Sequence, residues 1–243
     1  MALARSWRRY QCGDVRRREF SVVVVALVVA ATLGAVAGHE WTSTPRATTT
    51  APTTSSTEAP GQPITAIWPF ASTVTRFADP VLVAQAFATG YLGFVDPIVG
   101  AFRRGDSRSG EVTVRATPTG PVTTVLVREL TPDNSWWVLG ASCPDVTVTA
   151  PPAGSRLTSP FVIRGQSTSF EAVVNVDVLQ DGSMTPLARD VVLGGSMGVR
   201  APFHASIAFS PPTSSAGALV VRILSAKDGR VVQASAMRIL FAR

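Results

Sequence analysis

The sequence predicts a mainly β protein. Its parts are an N-terminal transmembrane helix, a small α+β domain and a C-terminal two-sheet β-sandwich. Three observations carry that expectation. Residues 20–38 form an uncharged apolar run. Residues 64–145 open with a helical period and continue with alternating strands. Residues 146–243 alternate apolar and polar positions in short segments separated by turns, the pattern of a half-buried strand.

The N-terminal end carries most of the formal charge of +6. Arg5, Arg8, Arg9, Arg16, Arg17 and Arg18 precede the apolar run with only Asp14 and Glu19 against them, so the segment 1–19 is an Arg-rich tail. At about 1.5 Å per residue, a helix over 20–38 nearly spans a hydrocarbon core of roughly 30 Å. Basic residues before such a run hold the tail in the cytoplasm, and the rest of the chain is then extracytoplasmic. This is a single-pass signal anchor in the cell membrane. The alternative is secretion after cleavage near Ala37, since Ala35-Val36-Ala37 fits a signal-peptidase site. Arg17-Arg18-Glu19-Phe20 partly resembles a twin-arginine export signal, but Arg16 and Ser21 depart from that pattern.

A linker, 39–63, follows. Residues 42–63 hold eight Thr, three Ser and four Pro and have nothing with which to build a core, so the segment reads as a disordered spacer of the kind often O-glycosylated after export.

In the middle segment, Asp79-Pro80 is a helix start, a side-chain cap followed by Pro at the first position. Val81, Ala84, Phe87, Ala88 and Tyr91 recur at helical spacing up to Gly90–Gly93. A polar loop is expected at 103–110. Three antiparallel strands, 111–117, 121–129 and 135–141, complete an α+β unit. Trp136 and Trp137 are adjacent, so they face opposite sides of their strand. Phe87, Tyr91, Trp136 and Trp137 are candidates for an apolar ligand pocket between helix and sheet. The order of helix and strands is similar in shape to cystatin-like cone folds, some of which hold apolar ligands.

In the C-terminal segment Val174, Val176 and Val178 share a face with Ala172, opposite Asn175 and Asp177. Phe203, Ala205, Ile207 and Phe209 repeat the pattern. So do Leu219, Val221 and Ile223, and Met237, Ile239 and Phe241. Asp181-Gly182 and Asp228-Gly229 are hairpin signals. About seven short strands at this spacing suggest a sandwich. Ser159-Pro160, Gly165, Phe170-Glu171-Ala172, Pro202-Phe203 and Ser225-Ala226-Lys227-Asp228-Gly229 stand at its bends. With these motifs in this order, residues 146–243 resemble the immunoglobulin-like domain of bacterial spore germination. The resemblance implies an immunoglobulin-like β-sandwich in a secreted or membrane-attached bacterial protein, and it supplies no catalytic residue. The segment has no cysteine and no tryptophan, so its core rests on aliphatic and Phe packing. Glu171, Lys227 and Asp228 are candidates for an interaction surface, beside a structural account of the same residues as turn formers.

Catalytic signatures are weak. Gly194-Gly195-Ser196-Met197-Gly198 matches the G-x-S-x-G pattern, but strand-like flanks surround it and His204 is the one histidine beyond His39. No metal or cofactor signature appears, so catalytic, cofactor and metal residues are expected to be none. The chain outside the tail carries only +2 without a basic cluster, which excludes a nucleic-acid partner. Cys143 is a lone exported thiol, buried or available for an intermolecular bridge.

The function expected from these features is a non-enzymatic binding or scaffolding module of the bacterial envelope, anchored through 20–38 and holding an envelope protein or a cell-wall component. The alternatives are an apolar-ligand-binding protein using the middle pocket and, third, an exported hydrolase.

Overall fold

A computed structural model describes residues 64–242, all within the compact unit Ser55–Arg243. The expectations for the tail 1–19, the span 20–38 and the linker 39–63 lie outside the described residues. Among the described residues no helix is long and apolar enough to cross a membrane.

Helix α1 (Pro80–Phe87) begins as the sequence predicts. Asp79 Oδ1 accepts from the backbone N–H of Val81 at 2.7 Å and of Leu82 at 3.0 Å, two donors that lack partners inside the helix. Val83, Ala84 and Phe87 form its buried face. A wider π-turn (Ala88–Leu92) extends it, and Gly93, at φ 87°, ends it in the left-handed region that suits glycine.

Four strands follow: β1 (Ile98–Arg104), β2 (Ser109–Arg115), β3 (Thr123–Leu130) and β4 (Ser135–Ser142). They form an antiparallel meander. The expected three-stranded sheet therefore has a fourth strand, and the expected loop 103–110 narrows to the turn 105–108 between two strands. β1 lacks clean alternation, and a bulge between Val99 and Phe102 interrupts its register. Arg103 and Arg104 are exposed, and as strand residues they sit opposite Glu111 and Gly110 on β2.

The remaining strands are β5 (Val146–Ala150), β6 (Arg156–Leu157), β7 (Phe161–Ser169), β8 (Val173–Gln180), β9 (Ala188–Leu193), β10 (Gly195–Ser196), β11 (Ala201–Ile207), β12 (Ala216–Leu224) and β13 (Val231–Phe241). Seven have five residues or more, as expected for the sandwich, and β6 and β10 are two-residue pieces. β8 starts one residue later than the alternation suggests, because Ala172 turns at φ 62°.

The sheet topology joins what the sequence separates. A nine-stranded sheet runs β1-β2-β3-β4-β13-β12-β8-β9, with β6 beside β13. The residue-145 boundary falls between β4 and β5, where the chain leaves this sheet for the four-stranded one of β5, β7, β10 and β11. The chain first rejoins the large sheet at β6, and the last strand, β13, ties its sandwich half to the meander by meeting β4 at Ala236–Ala141.

The sandwich half of the large sheet is buried on both faces. One face packs on the small sheet through Val174, Val176, Val178, Leu219, Val221 and Ile239, with Ile163, Phe203 and Ile207 opposite. On the other face, Leu179, Ala218, Val220, Ala234 and Ala236 join the core under α1, with Phe87, Tyr91 and Leu92. The result is three layers: helix with its preceding loop, large sheet, small sheet. Two-sided burial explains why β12 reads Ala-Gly-Ala-Leu-Val-Val, a near-continuous apolar run and not a strict alternation. It also corrects one expectation. Asp177 is on the polar face of β8, but that face is covered, and the residue is only 2% exposed.

Gly165 on β7 fits the close approach that its position suggested. A Cβ there would stand 2.2 Å from the Thr147 carbonyl oxygen and 2.4 Å from the Phe203 ring.

Candidate functional site

The chain produces one prominent opening at the end of the sandwich. The β7–β8 turn carries Phe170, the β10–β11 turn carries Met197, and the β12–β13 hairpin carries Ser225, Ala226 and Lys227. Between them lies a groove of about 990 Å³ with mainly apolar walls. Phe170 is 65% exposed and Met197 70% exposed, an unusual state for two large apolar side chains side by side on one opening. Ile223, Leu224 and Val232 continue the apolar wall inward.

The turns are built locally. Met197 at φ 51° and Gly198 at φ 81° reverse the chain after β10, with Val199 N–H donating to Ser196 O at 2.8 Å. In the β12–β13 hairpin, Gly229 takes φ 70°, and Ser225 accepts from Gly229 N–H at 2.8 Å while donating its own N–H to Arg230 O at 2.8 Å. The hairpin read from Ser225 to Gly229 is present.

Polar side chains also line the groove. Asp145 follows Cys143 in the β4–β5 crossover, and its carboxylate accepts from Gln233 Nε2. Gln233 is 2% exposed, and its Oε1 is buried without a hydrogen-bond partner. Ser169 Oγ, also lining the groove, is likewise buried and unpartnered. Both Gln233 and Ser235 lie on the face of β13 that looks into the sandwich, opposite Ile223 and Val221. Ser235 Oγ accepts from Cys143 N–H at 3.2 Å and lies 3.4 Å from its thiol. Burial pushes the Cys143 thiol pKa up, so the residue packs as a small neutral group.

Of the expected interaction surface, Lys227 lines this groove, and Glu171 is exposed on the turn beside Phe170. Asp228 is spent on its own hairpin: Oδ1 accepts from Arg230 N–H at 3.2 Å. Bonds from Ser225 and Arg230 hold its carboxyl below the ordinary range. The structure gathers three of the four expected pocket residues, Phe87, Tyr91 and Trp136, in one core and sets Trp137 apart from it. Phe87 and Tyr91 are buried and stacked at 5.1 Å in the core under α1. Trp136 packs edge-on to Phe102 at 5.2 Å. Trp137 lies on the opposite face of β4, with Arg76 over its ring at 5.2 Å. Helix and sheet close on each other there through aromatic packing.

The G-x-S-x-G segment is β10 and its turn, leading to strand β11 and not to the helix that a nucleophile elbow needs. His204 is exposed on β11, opposite Arg164. Among the described residues no group of three His, Cys, Asp or Glu is placed to hold a metal ion.

Phe170 and Met197 escaped the sequence reading because each stood inside a motif that had another explanation. The available signal was an apolar residue at the centre of an otherwise polar turn. Gln233 and Asp145 gave no sequence signal, since only the crossover geometry places them together.

No curated protein and no solved structure matches the chain. Residues 145–230, which include β5 to β12 and all but the last strand of the groove, match the family model of the immunoglobulin-like domain of bacterial spore germination.

Proposed function

We propose that this chain is a membrane-anchored, extracytoplasmic envelope protein of a bacterium, whose folded part is a non-catalytic binding or scaffolding module. The observation that carries the binding role is the groove in which Phe170 and Met197 stand exposed over an apolar wall. Large apolar side chains held out on turns of a rigid sandwich are the usual makings of a contact surface. The family match supports the same reading, because immunoglobulin-like domains act in general as binding modules. Anchoring rests on the uncharged run 20–38 behind its arginines. The partner is an envelope protein or a cell-wall component.

A photo-crosslinking residue placed at 170, in the full-length chain expressed in its native membrane, tests the reading. Position 74 is the control, since Val74 is 98% exposed and does not line the groove. The expected result is a discrete adduct from position 170 alone. Indistinguishable adduct patterns from the two positions, or none, remove the proposal. Carbonate-resistant sedimentation and protease cleavage on intact cells test anchoring and orientation.

A further inference from the structure

We infer that the groove at the end of the sandwich accepts an alkylammonium side chain, a lysine carried on an extended segment of the partner. The inference rests on the proposed binding role of this groove and specifies the chemistry of its occupant.

The inner wall offers acceptors that nothing in the fold uses. Gln233 Nε2 is committed to Asp145, which fixes the amide so that Oε1 is the free atom. Ser169 Oγ is likewise unpartnered, and Ser169 and Asp145 belong to the same lining as Gln233. A buried acceptor left unmet costs about 1–3 kcal/mol, so a wholly apolar occupant leaves the wall in deficit. An anion would meet a carboxylate and a carbonyl oxygen. A group with several donors and a positive charge answers all three oxygens, and an ammonium has three donors and no acceptor.

The walls fit the rest of such a side chain. Phe170, Met197, Leu224 and Val232 give an apolar channel between the mouth and the polar end. Methylene stems lie along apolar surface while the charged head seeks its partners. Lys227 is a like charge at the mouth, but it is exposed on the hairpin tip, where water and salt screen it. A groove of about 990 Å³ is larger than one side chain needs, which leaves room for the flanking backbone at the mouth.

Isothermal titration of the full-length chain in nanodiscs tests this. The probes are N-acetyl-Ala-Lys-Ala-amide, the same peptide with norleucine or arginine at the centre, and free butylamine. The lysine peptide is expected to bind. Norleucine should weaken binding by about tenfold or more, the equivalent of about 1.4 kcal/mol. Asp145→Asn and Phe170→Ala should each weaken the lysine peptide to a similar degree while leaving the fold intact by circular dichroism. Equal binding of the lysine and norleucine peptides overturns the inference, as does an unchanged Asp145→Asn variant or no binding at all; the buried oxygens are then held by water. Tighter binding of arginine overturns the choice of ammonium, and equally tight butylamine overturns the peptide carrier. If position 170 still crosslinks a partner that the lysine peptide does not displace, the ammonium assignment alone fails. If position 170 crosslinks nothing, the binding role of the groove fails with it.

Discussion

Arg222 Nη1 donates to Asp177 Oδ2 at 2.5 Å, and the same guanidinium donates from Nε to Leu92 O at 2.8 Å and from Nη2 to Tyr91 O at 3.1 Å. One side chain on β12 thus satisfies a buried carboxylate on β8 and the carbonyl ends of the turn after α1. Arg238 on β13 repeats the arrangement, donating to Asp181 Oδ1 at 2.6 Å, to Gly217 O at 3.1 Å and to Ala66 O. The helix layer is therefore clasped to the sandwich at two points by charge-assisted bonds.

Removing Asp177 should be strongly destabilising. Arg222 is only 14% exposed, so Asp177→Ala leaves a nearly buried cation with two carbonyls and no counter-charge. The expected loss is about 3–5 kcal/mol in a urea titration of the full-length chain. Arg222→Met should lose less, because Arg189 remains on Asp177 at 2.9 Å.

The two clasp carboxylates should respond oppositely to acid. Burial opposes ionisation of Asp177, but the bonds and charges of Arg189 and Arg222 outweigh it and hold the pKa below the ordinary value. Its stabilisation is present above the unfolded pKa of about 3.9 and is lost as pH falls toward the folded value. Burial raises the pKa of Asp181 despite Arg238. Its contribution is fullest below about 3.9 and declines as pH rises toward the folded value. Urea midpoints measured across that range should show Asp177→Asn flattening the acid loss of stability and Asp181→Asn steepening it.

Gly165→Ala should destabilise without touching the groove. The added methyl would meet the Thr147 carbonyl oxygen and the Phe203 ring well inside van der Waals distance, and the carbonyl belongs to a paired strand. Overpacking of this kind costs about 1–3 kcal/mol. Differential scanning calorimetry should record a lowered Tm, and Gly165→Ser should lower it at least as far.

Phe170→Ala and Met197→Ser should leave stability within about 0.5 kcal/mol of the parent chain, as expected for exposed positions. Met197→Ser should weaken the adduct formed from position 170, and Phe170→Ala should weaken binding of the lysine peptide. A large fall in Tm for either variant would show that these side chains act as core.

Cys143 should react slowly while the chain is folded. Burial raises its pKa and removes it from reagents. In a Cys12→Ser background, maleimide labelling followed by mass spectrometry should be slow in buffer and rapid in urea. Fast labelling in buffer would contradict the burial of the Cys143–Ser235 pair.

Local order was well written into the chain. Asp79-Pro80 opened a helix, Asp228-Gly229 closed a hairpin, and the inward residues of β8, β11, β12 and β13 were legible from their period of two. Their legibility has a simple cause: caps, turns and one-sided burial act over a few residues. β1 was missed because a bulge breaks its alternation and its last two residues are arginines. Alternation puts Asp177 on the polar face of β8, but it reports only which face a residue takes and says nothing of what covers that face.

The sequence by itself determined the mainly β class and the sandwich with its turns. Only the tertiary structure decided that β4 and β13 join the middle strands and the sandwich in one sheet, and that α1 buries the second face. Only the tertiary structure, again, set Phe170, Met197, Asp145 and Gln233 around one groove. These residues are brought together by crossovers between distant strands, and pairing across long separations depends on the whole packed core and not on any local stretch of chain.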